Sequence, residues 1–203
     1  MWITFVTIKM KELIEIRWHG RGGQGAKTAA LLFADAALAQ GKYIQAFPEY
    51  GPERMGAPVA SFNRLSSKPI LLHSGVTNPD IVAVLDPTLM ESIDVTEGLP
   101  PDGILIINTN QSPKDIRESC SIKKSGLKIF TVDASAISKE TIGREIPNTP
   151  MMGALLKASG ILDFKAMLED TKGKLEKKFK TKPEVVAGNL KAIERAYSEV
   201  KSQ

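Results

Sequence analysis

The sequence has 203 residues, the length of one compact domain, and its 42% hydrophobic and 25% charged residues are ordinary for a globular chain. Its single cysteine, Cys120, excludes a disulfide framework and any iron–sulfur or cysteine-rich zinc site built within this chain, and two histidines are too few for a histidine metal cage. Much of the basic excess behind the net charge of +4 lies between Lys165 and Lys182. Acidic residues interrupt that segment and Phe179 is its single aromatic residue, so we expect a solvated helix face that binds no nucleic acid.

The N-terminal residues 1–12 are expected to form an extension, followed by a single domain over 13–203. Residues 2–8 are apolar but lack the basic region and cleavage site of a signal peptide. They could form an extra edge strand, or precede a true start at Met10. No stretch approaches the ~20 apolar residues of a membrane-spanning helix, so we expect a cytoplasmic chain with no membrane contact.

A glycine-rich turn follows the first apolar run, 13–18, and precedes an alanine-rich helical pattern over 26–40. Gly20, Gly22 and Gly25 match the G-x-G-x-x-G spacing of a strand–turn–helix unit. The N-terminus of a helix attracts negative charge through its free N–H groups and its dipole. The segment therefore predicts a turn that can contact an anion.

Two familiar nucleotide-binding patterns do not fit this turn. The dinucleotide fold needs an acidic residue ~20 positions further on, at the end of the second strand, but Glu49 comes after Pro48. A P-loop needs Lys and Thr directly after its last glycine. Here Lys27 and Thr28 come one position later, which turns them about 100° around the helix. A free-standing nucleotide-binding enzyme remains an alternative, because the run 81–86 resembles a Walker B strand.

The remaining pattern predicts an open, Rossmann-like α/β fold with a mostly parallel sheet, a β-hairpin insertion and a helical C-terminus. Short apolar runs are typical of parallel strands covered on both faces. Prolines and glycines forbid regular structure over 48–58, and a hairpin is expected to pair 59–65 with 70–74. The other predicted strands are 43–47, 81–85, 104–107 and 129–132, and the other predicted helices are 87–92, 113–119, 135–142, 150–158, 163–178 and 183–200.

Ligands of such sheets collect outside the carboxyl ends of the strands. Three irregular segments are expected to meet there: 20–25, 48–58 and 146–150. Because loops on a rigid scaffold usually carry function, the candidate site residues lie in these segments.

Two arginines are the strongest candidates for contact with an anion. Arg21 lies inside the glycine turn and Arg54 in the proline-rich loop, and guanidinium groups suit phosphate and carboxylate. The alternative is that Arg54 forms an ion pair with Glu49 and holds its own loop.

The other candidates have a structural alternative as well. Gln24 could orient a ligand or bond to the turn, and Asn148 with Thr149 could contact a ligand or cap a helix beginning near residue 150. His19 follows a strand with no nucleophile marked nearby, which favours a structural histidine. Asp86, which follows the run 81–85, is interpreted as a strand-end or helix-cap residue.

Several blocks of this sequence resemble the gamma subunit of the 2-oxoacid:ferredoxin oxidoreductases, in particular the pyruvate and 2-ketoisovalerate branches. The resemblance rests on residues 19–26 (His-Gly-Arg-Gly-Gly-Gln-Gly-Ala) and on the proline-rich block 45–58. It continues through 78–86, 103–109 and 146–154, in the family's order.

The resemblance implies a complex that converts pyruvate and CoA to acetyl-CoA and CO₂ and passes two electrons to ferredoxin, reversibly. It implies alpha, beta and delta partner subunits, with thiamine diphosphate and Mg²⁺ between alpha and beta and [4Fe–4S] clusters in beta and delta. This chain would then carry no catalytic residue and bind no cofactor alone. It would pack on the thiamine-bearing subunits, and CoA is the ligand that the resemblance suggests for the glycine turn; a purely structural turn is the alternative. The residues concerned are Gly20, Arg21, Gly22, Gly23, Gln24, Gly25, Glu49, Arg54, Asn148 and Thr149.

Overall fold

The structure is a computed structural model that describes residues 11–49 and 56–202. The hypothesis of an N-terminal edge strand over 2–8 and the position of Arg54 therefore lie outside the described residues.

One mixed sheet runs through the described part of the chain. Its strands, in the spatial order β2-β3-β1-β4-β5-β6-β7, are parallel from β1 through β4 and β5 to β6, while β2, β3 and β7 pair with their neighbours in antiparallel fashion. The strands are β1 (Leu13–Arg21), β2 (Tyr43–Pro48), β3 (Pro58–Ser66), β4 (Ile81–Val84), β5 (Ile104–Asn108), β6 (Lys128–Val132) and β7 (Lys201–Ser202).

Helices follow β1, β4, β5 and β6, and the tail of the chain is helical as predicted. A short 3-10 helix, Pro87–Glu91, follows β4 and is capped by the Asp86 carboxylate. Asp133 and Asp163 cap their helices in the same way. The helices are α1 (Ala26–Ala39), α2 (Pro113–Ser119), α3 (Ala134–Ile142), α4 (Asn148–Ser159), α5 (Phe164–Lys178) and α6 (Pro183–Glu199). Within the described ranges, no helix has the length and hydropathy that a bilayer crossing requires.

The two faces of the sheet bury separate cores. On one face, α1, α3, α4, α5 and α6 cover side chains of β1 and of the parallel strands, with Ile16 and Trp18 at the centre. On the other face, α2 and the segment after the 3-10 helix cover β4, β5 and β6. Small side chains such as Ala29 and Ala37, both fully buried, let α1 lie close to the sheet.

The predicted α/β class is confirmed, but the predicted hairpin is wrong. Residues 70–74 form no strand, and β3 pairs instead with β2 on one side and β1 on the other. Since both edges of β3 are occupied, the segment 70–74 cannot pair with β3. It lies at the surface with Leu71 83% exposed, and the Gln45 side chain donates to the carbonyl of Leu72 at 3.0 Å.

Candidate functional site

The glycine turn meets the other two irregular segments, as predicted, at the carboxyl ends of β1 and β4. The N–H of Gly22 donates to the carbonyl of Ala57 at 2.9 Å, and the N–H of Gly56 donates to the carbonyl of Gly22 at 3.2 Å. On its other side the turn packs against Asn148: a Cβ added to Gly25 would lie 2.6 Å from the side-chain nitrogen of Asn148. The turn is therefore held between segments far apart in the sequence.

Glycine is required here for conformation as well as for space. Gly23 and Gly25 have φ values of +99° and +85°, which L side chains rarely adopt. Gly25 immediately precedes α1, and no side chain caps the first turn of that helix. The structure thus presents a helix N-terminus that is preceded by glycine and has no side-chain cap, which is a favourable environment for an anion.

Gln24 shapes the turn with both ends of its amide group. Its oxygen accepts the backbone N–H of Arg21 at 2.8 Å, and its nitrogen donates to Oδ2 of Asp86 at 2.7 Å. The sequence left open whether Gln24 orients a ligand or bonds to the turn, and these contacts support the bond to the turn.

Arg21 is bound to the end of β4. Its Nε donates to Asp86 Oδ2 at 3.2 Å, one terminal nitrogen donates to Thr88 Oγ1 at 2.8 Å, and the other donates to the carbonyl of Gly56 at 3.3 Å. A guanidinium has five N–H groups, so these contacts leave one N–H on each terminal nitrogen for a further acceptor. The side chain keeps 32% of its surface exposed, which makes a ligand contact possible.

Asp86 stays ionised at the centre of this arrangement. Partial burial raises the pKa of its carboxyl, but hydrogen bonds from Thr88 and Gln24, together with the charge of Arg21, hold that pKa below its usual value. The sequence alone predicts only a capping or strand-end role for Asp86. Asp86 follows β4, and β4 pairs in parallel with β1, so the carboxyl ends of the two strands are neighbours. That pairing was the signal that could have placed Asp86 beside the turn.

Asn148 and Thr149 are buried at the start of α4. The helix begins two residues earlier than predicted, so Asn148 is inside its first turn and the N-cap is Pro147, without a side-chain cap. The Asn148 oxygen accepts the N–H of Thr149 at 2.7 Å. The Thr149 hydroxyl lies 3.0 Å from the Asn189 oxygen on α6, so its contact joins two helices.

Glu49 lies apart from this network. It is exposed, and its backbone N–H donates to the carbonyl of Ala60 at 3.0 Å. Arg54 is outside the described residues, so the proposed pairing of the two stays a prediction. Over the described ranges, no three His, Cys, Asp or Glu side chains converge as a metal site would need.

A second polar region lies beside the turn, on the face of β1 opposite α1. Arg17 and His19 line a groove of about 610 Å³ together with Phe47, Glu49 and His73. Burial, with the nearby charge of Arg17, lowers the pKa of His19 to about 4, so its imidazole is neutral at neutral pH. No hydrogen bond involves its buried Nε2 within the described part of the structure. This placement supports a structural histidine.

Known proteins with similar sequences identify the family of this chain. The family model described as "Pyruvate ferredoxin/flavodoxin oxidoreductase" matches residues 15–199. The chain is 48% identical to pyruvate synthase subunit PorC of Thermotoga maritima over 193 residues, which cover 94% of this chain and 96% of that protein. It is also 49% identical over 155 residues to the pyruvate/ketoisovalerate oxidoreductases common subunit gamma of Pyrococcus abyssi, covering 76% and 83% of the two chains.

The solved structures agree. The crystal structure of the Thermotoga maritima PORC subunit superposes with a TM-score of 0.81 at 45% identity, covering 95% of this chain and 99% of that one. A keto/oxoacid ferredoxin oxidoreductase gamma subunit from Geobacter sulfurreducens shares the fold, with a TM-score of 0.70 at 23% identity, covering 92% of this chain and 95% of that one. The chain belongs to the pyruvate ferredoxin/flavodoxin oxidoreductase family and corresponds over nearly its whole length to the family's gamma subunits.

Proposed function

We propose that this chain works as the gamma subunit of an oxidoreductase built from alpha, beta, gamma and delta subunits, and that its glycine turn receives CoA. The complex would convert pyruvate, CoA and two oxidised ferredoxins to acetyl-CoA, CO₂, two reduced ferredoxins and a proton. High identity over nearly the full length of PorC supports the assignment to the pyruvate branch.

The choice of 2-oxoacid is assigned to the partner subunits. The gamma subunit of Pyrococcus abyssi is named as common to pyruvate and ketoisovalerate oxidoreductases. A subunit shared by two enzymes cannot select between their substrates. By the same logic this chain would serve a 2-ketoisovalerate complex as well as a pyruvate complex.

The redox and thiamine chemistry is likewise assigned to the partners. A [4Fe–4S] cluster takes four cysteine thiolates, and this chain has one cysteine. We place thiamine diphosphate, Mg²⁺ and the clusters on the other subunits, and give this chain the tasks of packing against them and holding a co-substrate.

The observation that carries the CoA proposal is the pairing of Arg21 with an uncapped helix. Arg21 retains N–H groups for a further acceptor, and the N-terminus of α1 beside it lacks a side-chain cap. Guanidinium groups and helix N-termini both bind phosphate, and CoA carries several phosphate oxygens. The exposure of Arg21 leaves room for that contact.

The test is the CoA dependence of the reconstituted complex. Arg21→Ala should leave assembly and the pyruvate dependence unchanged but raise the CoA concentration needed for half-maximal rate roughly 10- to 150-fold, the effect of losing one charge-assisted contact. Arg54→Ala is expected to act in the same direction. Arg195→Ala is the matched control, because Arg195 is also ion-paired and is 30% exposed, but it lies on α6 with Glu140 and Glu199 as partners. Intact complexes with unaltered CoA dependence in both Arg21→Ala and Arg54→Ala would overturn the CoA proposal and leave the turn a structural element.

A further inference from the structure

We propose that Asp86 is the positioning residue of the glycine turn, and that its carboxylate pre-orders Arg21 for the anionic ligand. The inference rests on the proposed CoA function. It gives Asp86, which follows β4, the role of ordering the Arg21 side chain before the ligand binds.

Asp86 closes a ring of hydrogen bonds around the turn. Its Oδ2 accepts from the side-chain nitrogen of Gln24 at 2.7 Å and from Nε of Arg21 at 3.2 Å. Gln24 in turn accepts the backbone N–H of Arg21 at 2.8 Å. One carboxylate oxygen therefore fixes both a backbone position and a side chain of the turn.

The second oxygen fixes the carboxylate itself. Asp86 Oδ1 accepts the backbone N–H of Thr88 at 3.0 Å and its hydroxyl at 2.6 Å. The Thr88 hydroxyl also lies 2.8 Å from a terminal nitrogen of Arg21. The Asp86 side chain is 13% exposed, and both of its oxygens accept hydrogen bonds from the protein, which holds the carboxylate in this orientation.

The contacts engage one edge of the guanidinium and leave part of it available. Asp86 binds Nε, and Thr88 and Gly56 each take one N–H of the terminal nitrogens. A free arginine side chain loses rotamer freedom when a ligand fixes it, whereas one already held loses little. Asp86 thereby increases the affinity of Arg21 for a ligand that Asp86 itself does not touch.

The experiment is a double-mutant cycle in the reconstituted complex. Asp86→Ala should raise the half-saturating CoA concentration about 10-fold with kcat within about twofold, because Asp86 orders the turn and Arg21 but is assigned no part in the reaction itself. In the Arg21→Ala background the same change should have a much smaller effect on CoA, since the side chain that Asp86 pre-orders is absent. Asp133→Ala is the matched control: it also follows a parallel strand and caps a helix, but its cap bond goes to Ala136 in α3.

A second variant protects the test against loss of assembly. Asp86→Asn keeps an oxygen for the Thr88 cap, and the cycle is run with it if Asp86→Ala fails to enter the complex. An Asp86 effect of equal size with and without Arg21 would overturn the positioning proposal. So would an unchanged CoA dependence in Asp86→Ala while Arg21→Ala is impaired.

Hydrogen exchange separates this inference from the proposed function. If Arg21→Ala itself leaves CoA dependence unaltered, the CoA function fails, and the order of the turn is then measured directly by hydrogen–deuterium exchange of the peptide over 20–25 in the complex. Faster exchange in Asp86→Ala than in Asp133→Ala would support the ordering of the turn by Asp86. Equal exchange in the two variants would overturn it.

Discussion

Single residues on β1 show how one strand can serve two different environments. Ile16 and Trp18 alternate with Arg17 and His19, so one side of the strand enters the aliphatic core and the other carries charge and imidazole. Arg17 reaches the carbonyls of Val95 and Glu97 at 3.1 and 2.7 Å. Its hydrogen-bond partners are main-chain oxygens, and burial lowers its pKa by more than the charges of Glu97, Asp94 and Glu49 raise it.

The neutral state of His19 predicts a pH-dependent free energy of unfolding. The pKa is about 4 in the folded chain and about 6.5 when unfolded, so the unfolded state binds the proton more tightly. The stabilisation is complete above the unfolded pKa and is lost as the pH falls towards 4. Between pH 7 and pH 5 the loss from this group amounts to about 2 kcal/mol.

Urea unfolding at the two pH values measures this loss. His19→Gln should reduce the difference by that amount, whereas His73→Gln, at the exposed position, should behave as the wild type does. A His19→Gln chain with the wild-type pH dependence would show that the imidazole is not kept neutral.

At the scale of secondary-structure elements, the close packing of two helices depends on a glycine within one of them. A Cβ on Gly153 of α4 would lie 2.2 Å from the carbonyl oxygen of Ile193 on α6. These helices can cross at this distance only because no side chain stands between them. By contrast, a Cβ added to Gly173 of α5 would have nothing within 4 Å.

Alanine at these two glycines should therefore have opposite effects. Gly153→Ala must push α4 and α6 apart and should lower the free energy of unfolding by about 1–3 kcal/mol. Gly173→Ala should raise it by about 0.5–1 kcal/mol, because alanine is the better helix former and meets no obstacle. Thermal or urea unfolding of the two variants checks both signs. A destabilised Gly173→Ala would contradict the helix-propensity argument, and a Gly153→Ala as stable as the wild type would contradict the packing argument.

The same elements show which parts of the fold could be predicted from sequence. The aliphatic runs at 81–85 and 129–132 coincide with β4 and β6 to within a residue at each end, because strands buried on both faces leave an unambiguous local signal. The error over 70–74 arose because an apolar run that follows β3 can pair with β3 only if an edge of β3 is free, and β1 and β2 occupy both edges. Pairing of that kind is non-local.

The site was predictable to the same extent. Glycine spacing and the topology of open sheets predicted that the turn lies beside 146–150 and the end of 48–58, and the described residues make those contacts. The ligand contacts of the candidate site residues stay a prediction. The bonds from Arg21 to Asp86 and Thr88 could not be read from local pattern, because they join residues more than 60 positions apart. Asn63 is a similar case in the core: its side chain accepts from Trp18 Nε1 and donates to the carbonyl of Ala30, joining β1, β3 and α1.

At the scale of the whole molecule, the proposed function makes the chain a scaffold and assigns the redox and thiamine chemistry to its partner subunits. Purified alone it should be colourless, contain no iron and show no pyruvate-dependent dye reduction, since one cysteine cannot hold a cluster. Co-expression with the alpha, beta and delta subunits should give a brown complex with turnover. The visible spectrum, iron content and dye assay of the two preparations make the comparison, and colour with turnover in the isolated chain would contradict the subunit assignment.

The order of strands in the sheet has a consequence for synthesis on the ribosome. β1 emerges first, yet its partners β3 and β4 are made later, and Asn148, which packs against the glycine turn, follows Arg21 by 127 positions (148 minus 21). At elongation rates of about 5–20 residues per second that interval lasts roughly 6–25 s. At the start of that interval the nascent chain carries an unpaired strand with one apolar face, and a chaperone that shields residues 13–21 would have its effect within that interval.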